Sequence, residues 1–288
     1  MKLALGTVQF GLPYGIANKF GQVSLDEVRN ILAIAFNSGI DTLDTAIAYG
    51  DSEVFLGKVG TRGFKIVTKL PPLSDGVTDI ASWVDEHVKS ALYRLKVDSL
   101  YALLLHCSKD LVGVKGRPMV NALERLKDNG VVQKIGVSIY SPLELDAAIE
   151  ACALDLVQAP LNLFDRRLIT SGWLHRLREK DVEVHVRSVF LQGILLMPRE
   201  TIQEKFSPWF NLFDCWHSWL NENRISAVDA CLAFVSSQPL IDRIVIGVDN
   251  SMQLNELLQS TVKGFPEQFP DLRCDDERLI NPSKWNML

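Results

Sequence analysis

Four ionisable side chains have types and positions suited to moving a proton: Asp44, Tyr49, Lys69 and His106. Asp44 stands near the end of Ile40–Thr45, a run of β-branched and apolar residues that reads as a short buried strand. Tyr49 follows on the loop Tyr49-Gly50-Asp51-Ser52-Glu53, which runs into a helix that Asp51 or Ser52 is placed to cap. Lys69 ends Val67-Thr68-Lys69, and His106 ends Leu103-Leu104-Leu105-His106. A carboxylate and a phenol held together form a candidate acid–base pair. A phenol titrates near 10 when unperturbed, and an adjacent ammonium favours the phenolate and lowers that value. Lys69 is the candidate ammonium, Asp44 the carboxylate that keeps it charged and oriented, and His106 a hydrogen-bond donor to the reacting oxygen. Each residue also has a plainer reading: a lysine snorkelling at a strand end, a core histidine, an aspartate at a helix N-cap, a tyrosine anchoring a loop. What sets the four apart is that they fall at one edge of three consecutive strands.

That edge has to be built by the rest of the chain. Strand-like runs occur at Lys2–Gly6, Ile40–Thr45, Phe64–Lys69, Leu100–His106, Lys134–Ser138, Leu156–Ala159, Glu183–Ser188 and Arg243–Val248. Most are apolar on both faces, as parallel strands are when helices cover them outside and side chains fill them inside. Helical signals lie between them. Ser24-x-x-Glu27 is a capping box opening a helix to Asn37. Ile80, Val84, Val88, Ala91, Leu92 and Leu95 recur at helical spacing, and Ser141-Pro142-Leu143-Glu144 is a second capping box with proline at the first helical position. Asn121–Asn129, Trp173–Lys180, Ala227–Ser236 and Ser251–Thr261 complete the set. The alternation predicts one α/β domain over residues 1–288, a closed (β/α)8 TIM barrel whose chemistry belongs at the carboxyl ends of its strands.

The length of 288 residues suits such a barrel, which takes about 250. Hydrophobic residues make up 47% and charged residues 23%, with a net charge of −5 and no run of Lys or Arg, which argues against a nucleic-acid or anionic-membrane partner. No stretch approaches the ~18 apolar residues of a membrane span. The start, Met1-Lys2-Leu3-Ala4-Leu5-Gly6, lacks the apolar run and cleavage site of a secretory leader. The cysteines (Cys107, Cys152, Cys215, Cys231, Cys274) are scattered without metal-ligand spacing, so the expectation is reduced thiols in a cytoplasmic protein and no metal; a monomer is the default, since nothing in the sequence sets oligomeric state. Two segments exceed what a barrel needs. Leu191–Arg224 contains Trp209, Phe210, Phe213, Trp216 and Trp219, which either line a pocket or pack a core of their own. The tail from Gly264 to Leu288 either closes a pocket or covers the barrel's bottom.

Asp44-x-Ala46-x-x-Tyr49-Gly50-x-Ser52-Glu53, followed by the Lys69 and His106 motifs, resembles the aldo-keto reductase superfamily over nearly the whole chain. Leu5-Gly6-Thr7-Val8-Gln9-Phe10-Gly11-x-x-Tyr14-Gly15 and Arg187-Ser188-Val189-Phe190-Leu191-Gln192-Gly193 resemble bacterial members found with surface-polysaccharide genes. The resemblance implies an NAD(P)-dependent reductase of an aldehyde, ketone or sugar-like carbonyl, with the same four roles for Asp44, Tyr49, Lys69 and His106. It also implies a nicotinamide cofactor along Gly6 and Thr7, with its carboxamide at Ser138 and Gln158. The pyrophosphate would lie near Ser188, Leu191, Gln192 and Gly193, and the adenosine near Gly247, Asn250, Ser251, Gln253 and Glu256. Exposed N–H groups at the start of that last helix suit an anion.

Three positions depart from the family pattern. Ile139 replaces the Asn that often follows the fifth-strand Ser. Arg187 stands where many members place an aromatic ring under the nicotinamide; a guanidinium there would disfavour the oxidised ring, and it could instead clamp pyrophosphate, bind an acidic substrate or pair with a neighbouring acid. Asp249-Asn250-Ser251-Met252-Gln253 lacks the basic residue that usually pairs a 2′-phosphate, so NAD and NADP both remain open. Two other functions compete with reduction. One is an aldolase using Lys69 as a Schiff-base nucleophile. The other is a non-enzymatic barrel that binds cofactor as a sensor or scaffold. The substrate walls would come from Leu12–Phe20, the aromatic segment and the tail.

Overall fold

The computed structural model describes residues 2–260 and 268–287. Its strands are β1 (Leu3–Gly6), β2 (Thr42–Asp44), β3 (Lys65–Leu70), β4 (Leu100–Leu105), β5 (Val132–Ser138), β6 (Leu156–Pro160), β7 (Glu183–Arg187) and β8 (Arg243–Gly247). All are parallel, each pairs with the next in sequence, and β8 pairs with β1, so the sheet closes into a (β/α)8 barrel. β2 is shorter than its apolar run because the Ile40 N–H closes the preceding helix on the Ala35 carbonyl.

Side chains alternate in and out along each strand. One face therefore carries Thr42 and Asp44 on β2, Lys65, Val67 and Lys69 on β3, and Lys134, Gly136 and Ser138 on β5. The same face carries Leu156 and Gln158 on β6, Glu183, His185 and Arg187 on β7, and Arg243, Val245 and Gly247 on β8. The register places Ser138 opposite Gln158 and Pro160 opposite Arg187, so these polar side chains gather at the carboxyl ends. Val67, Ala102, Leu104 and Leu156 form a small apolar cluster with Tyr101 against it, separate from the large core between strands and helices.

The covering helices follow the hydrophobic pattern. Leu25–Asn37 buries Val28, Ile31, Leu32 and Ala35, and Ile80–Leu95 buries Ile80, Val84, Val88, Ala91 and Leu95. The Ser141–Glu144 capping box is complete. That of Ser24 is half made: its hydroxyl accepts from the Glu27 N–H, but the Glu27 carboxylate turns outward to another helix. Gly116–Asp128 begins before the expected Asn121, because Pro118 falls in the first turn, where no N–H is required.

The aromatic segment after β7 packs its Trp and Phe side chains into the large core rather than along the cleft at the barrel's carboxyl end. Its helix Phe210–Asn223 buries Phe213, Trp216 and Leu220, with Trp216 stacked on Trp219 at 5.9 Å. Phe213 meets Phe164 at 5.4 Å, and Trp219 meets Phe269 of the tail at 6.2 Å. The tail's described part continues across the same region: the Cys274 N–H donates to the Phe164 carbonyl, and Trp285 packs edge-on against Phe206. It therefore lies on the segments that follow β6 and β7, not under the barrel. Residues 264–267 and 288 of the tail lie outside the described residues, as does the Thr261 end expected for the last helix.

Candidate active site

The Tyr49 loop is held by a backbone contact that requires glycine. A Cβ on Gly11 would come within 1.8 Å of the Tyr49 carbonyl oxygen, so the two segments touch directly. The helix Ser52–Val59 then starts without a side-chain cap. Ser52, expected as a candidate cap, is buried; its hydroxyl lies 2.9 Å from the Thr7 carbonyl oxygen, 2.9 Å from Thr7 Oγ1 and 3.1 Å from Thr45 Oγ1, joining the ends of β1 and β2. Glu53 is buried next to it and accepts from Arg94 and from the Thr68 hydroxyl, which fixes the helix against β3.

Lys69 is fully buried, and its ammonium donates to Asp44 Oδ1 at 2.7 Å and to the Thr45 carbonyl at 2.8 Å. The other Asp44 oxygen accepts from Gln158 Nε2 at 2.6 Å, and Gln158 Oε1 accepts from the Ser138 hydroxyl at 3.1 Å. Burial pushes the Lys69 pKa down while the Asp44 charge opposes it. The Lys69 ammonium sits 5.1 Å from the Tyr49 ring centroid, and the Tyr49 and His106 rings are 5.7 Å apart. Neither the Tyr49 hydroxyl nor the His106 ring has a hydrogen-bond partner among the described residues.

The electrostatics differ in one respect from the expectation that Lys69 acidifies the phenol. Burial and the Asp44 charge raise the Tyr49 pKa above its ordinary value near 10.0, and the cation acting to lower it is Arg187. The charge of Lys69 is matched by Asp44 at contact. His106 is pushed down to about 3 by burial and by the positive charges of Lys69 and Arg187, so it is a neutral imidazole at ordinary pH.

Tyr49 and His106 open into a cleft of ≈ 520 Å³ that crosses the carboxyl end of the barrel. Gly6, Thr7, Asp44, Ser138, Arg187, Ser188, Gln192, Gly193, Gly247, Gln253 and Glu256 share its walls. Gln158 and Leu191 are fully buried behind the wall, and Asn250 and Ser251 stand outside it at the start of the helix Ser251–Gln259. Asn250 caps that helix as expected, accepting from the Gln253 N–H at 2.9 Å. The aromatic segment contributes no Trp to the wall.

Tyr14 and Asn18 of the Leu12–Phe20 segment reach the wall, as does Gln9 of the Leu5–Gly15 motif, whereas Tyr140 carried no signal in the sequence. The Tyr14 hydroxyl accepts from Gln192 Nε2 at 3.1 Å. Tyr140 follows the buried Ile139, and its ring lies 4.7 Å from the Arg187 guanidinium. Arg187 also donates to the Ile139 carbonyl at 2.9 Å and to the Ser188 hydroxyl at 3.2 Å. It forms no ion pair with an acid among the described residues, which leaves the readings in which it faces a ligand.

The cleft has features that fit an elongated, phosphate-bearing ligand. Gly247 offers bare backbone where a Cβ would meet the Gln9 amide at 2.5 Å, and Gln9 Oε1 is buried without a partner. Ser188, Leu191, Gln192 and Gly193 all have positive φ. Left-handed non-glycine residues are uncommon, and their clustering concentrates backbone strain on this one loop of the cleft wall.

The Aldo/keto reductase family model matches residues 2–271. The uncharacterized oxidoreductase YqkF of Bacillus subtilis (strain 168) is 26% identical over 264 residues, covering 83% of this chain and 85% of its own. The holo structure of aldo-keto reductase AKR11C1 from Bacillus halodurans is similar with a TM-score of 0.74 at 21% identity, over 93% of this chain and 88% of its own. The glycerol dehydrogenase AKR11B4 from Gluconobacter oxydans is similar with a TM-score of 0.66 at 20% identity, over 93% and 95%.

Proposed function

The chain belongs to the aldo/keto reductase family, and from that premise we propose that it reduces an aldehyde, ketone or sugar-like carbonyl with NADH or NADPH, using Tyr49 as proton donor. The observation that carries this reading is the unpartnered Tyr49 hydroxyl and His106 ring facing one cleft, 5.7 Å apart ring to ring. A carbonyl oxygen placed between them meets an acid on one side and a neutral N–H donor on the other. The bound dinucleotide supplies the hydride. Ser138 would hold its carboxamide, Ser188, Gln192 and Gly193 its pyrophosphate, and Gly247, Gln253 and Glu256 its adenosine.

As negative charge builds on the substrate oxygen, the Tyr49 O–H bond breaks and its proton moves to that oxygen. The resulting phenolate is stabilised by the nearby Arg187 cation and takes its proton back from solvent. Asp44 and Gln158 hold Lys69 in place beneath the ring. The aldolase reading loses its nucleophile: Lys69 is wholly enclosed and doubly bonded, away from the cleft wall. The test is consumption of NADH or NADPH absorbance with a panel of aldehydes, ketones and aldoses. Carbonyl-dependent oxidation is the expected result; binding of dinucleotide without oxidation by any carbonyl favours the sensor or scaffold reading.

A further inference from the structure

We propose that Glu27 makes the adenosine end of the cleft selective for a dinucleotide with a free 2′-hydroxyl, so that the protein holds NAD(H) in preference to NADP(H). The inference rests on the cofactor reading above and concerns its far end, where the cleft runs along the helix Ser251–Gln259.

A helix start attracts phosphate when its N–H groups are free. Here the chain's own acceptors take those of Ser251 and Gln253. Glu27, reaching across from the helix Leu25–Asn37, accepts from the Ser251 N–H. Asn250 Oδ1 accepts from the Gln253 N–H at 2.9 Å, and Gln253 Oε1 accepts from the Asp249 N–H at 2.8 Å. The acceptor on Ser251 is charged: bonds from the Ser251 backbone, the Ser251 hydroxyl and Asn30 hold the Glu27 carboxyl below its usual range. Asp249 and Glu256 line that end of the cleft, and Glu27 stands just outside its wall with Ser251. Asp249 is half-buried and accepts from Asn18 Nδ2 at 3.2 Å. The one Lys or Arg on the described cleft wall is Arg187, grouped with Tyr49 and His106 at the other end.

A 2′-phosphate carries roughly −1.5 to −2 charges near neutrality, like other phosphomonoesters. To reach the Ser251 N–H it would have to displace Glu27, and it would lie near three carboxylates with no counter-cation among the described wall residues at that end. A 2′-hydroxyl is neutral and can donate to a carboxylate, which suits the same wall.

Titration of the full-length protein with NADH and with NADPH, followed by quenching of tryptophan fluorescence, tests this without turnover. NADH should bind at least about tenfold more tightly, a free-energy difference of about 1.4 kcal/mol. Raising the ionic strength should narrow the ratio, because the discrimination is Coulombic. Glu27→Gln removes the charge while keeping the acceptor, and should narrow the ratio mainly by tightening NADPH. Equal affinities in the wild-type protein, a ratio in favour of NADPH, or a ratio insensitive to both salt and Glu27→Gln would overturn the inference while leaving the cofactor reading intact. Binding of neither dinucleotide would overturn both. The wild-type ratio and its salt response decide the matter even if the variant fails to fold.

Discussion

The two mouths of the barrel carry the same four kinds of side chain and use them in opposite ways. At the carboxyl end are Asp44, Tyr49, Lys69 and His106; at the amino end are Glu183, Tyr101, Lys134 and His185. At the amino end the acid is the hub. Glu183 accepts from the Tyr101 hydroxyl at 2.6 Å, from Lys134 and from His185 Nε2 at 2.7 Å. Lys65 and Lys134 each lie 5.2 Å from the Tyr101 ring centroid. The His185 Nδ1 has no hydrogen-bond partner among the described residues. At the carboxyl end the acid binds the lysine and Gln158, and the phenol and imidazole are left over for the cleft. Residue type alone therefore does not make an active site. What matters is whether the acid also takes up the phenol and the imidazole or leaves them to the cleft.

Removing one hydroxyl at each mouth is the sharpest way to break that comparison. We expect Tyr49→Phe to lower carbonyl-dependent turnover by at least about 10²-fold, the range general acids supply, with dinucleotide affinity retained. Tyr101→Phe should leave kcat within a few-fold and lower unfolding free energy by about 1–2 kcal/mol, because Glu183 loses one of several donors. Comparable loss of turnover in both variants would mean that the two clusters do not divide into a working set and a bracing set.

Much of this division was readable from strand position. Lys69 and His106 stand at strand ends, whereas Glu183 opens β7 and Tyr101 comes second in β4. The strands themselves were legible because doubly buried parallel strands read as apolar runs with sharp polar flanks. The site beyond the four groups was less so. Tyr140 was visible as a residue, but its meeting with Arg187 depends on β5 and β7 curving to the same face. Glu27 read as a capping-box partner for Ser24, and its real contact, the Ser251 N–H, lies on a helix at the far end of the chain. The aromatic segment carried the opposite lesson. Its composition allowed a pocket or a core, and only the packing of Phe164, Phe213, Trp216, Trp219 and Phe269 decided for a core.

The lysines give a second, smaller test. Lys69 is wholly buried against Asp44, while Lys134 is about one-third exposed beside Glu183, with a side-chain accessibility of 32%. Lys69→Met strands a buried carboxylate and should cost about 3–5 kcal/mol of stability in chemical denaturation. Lys134→Met leaves Glu183 with two remaining donors, and Lys134 itself is partly exposed, so its cost should be clearly smaller than that of Lys69→Met. Equal costs would show that the two acids are equally enclosed in solution, against the accessibilities of their partners.

The smallest effect separates the two mouths by pH. His106 is neutral in the fold, with a pKa near 3 against about 6.5 in the unfolded chain. Below pH ~6.5 the unfolded state binds a proton that the folded state refuses, so stability should fall with pH by on the order of 1 kcal/mol per unit. Glu183 behaves as a depressed acid: burial pushes it up, but the bonds from His185, Lys134 and Tyr101 outweigh burial and hold it below the usual carboxylate range. Its contribution is fully present above about pH 4.3 and is lost only as pH falls further towards its folded value. Denaturation across this range should therefore show the carboxyl end weakening first and the amino end later. His106→Gln should remove the upper slope and leave the lower one. Because His106 stays neutral throughout, turnover should show no inflection near pH 6.5, and an inflection there would mean that the imidazole is far better solvated than its enclosure against Tyr49 implies.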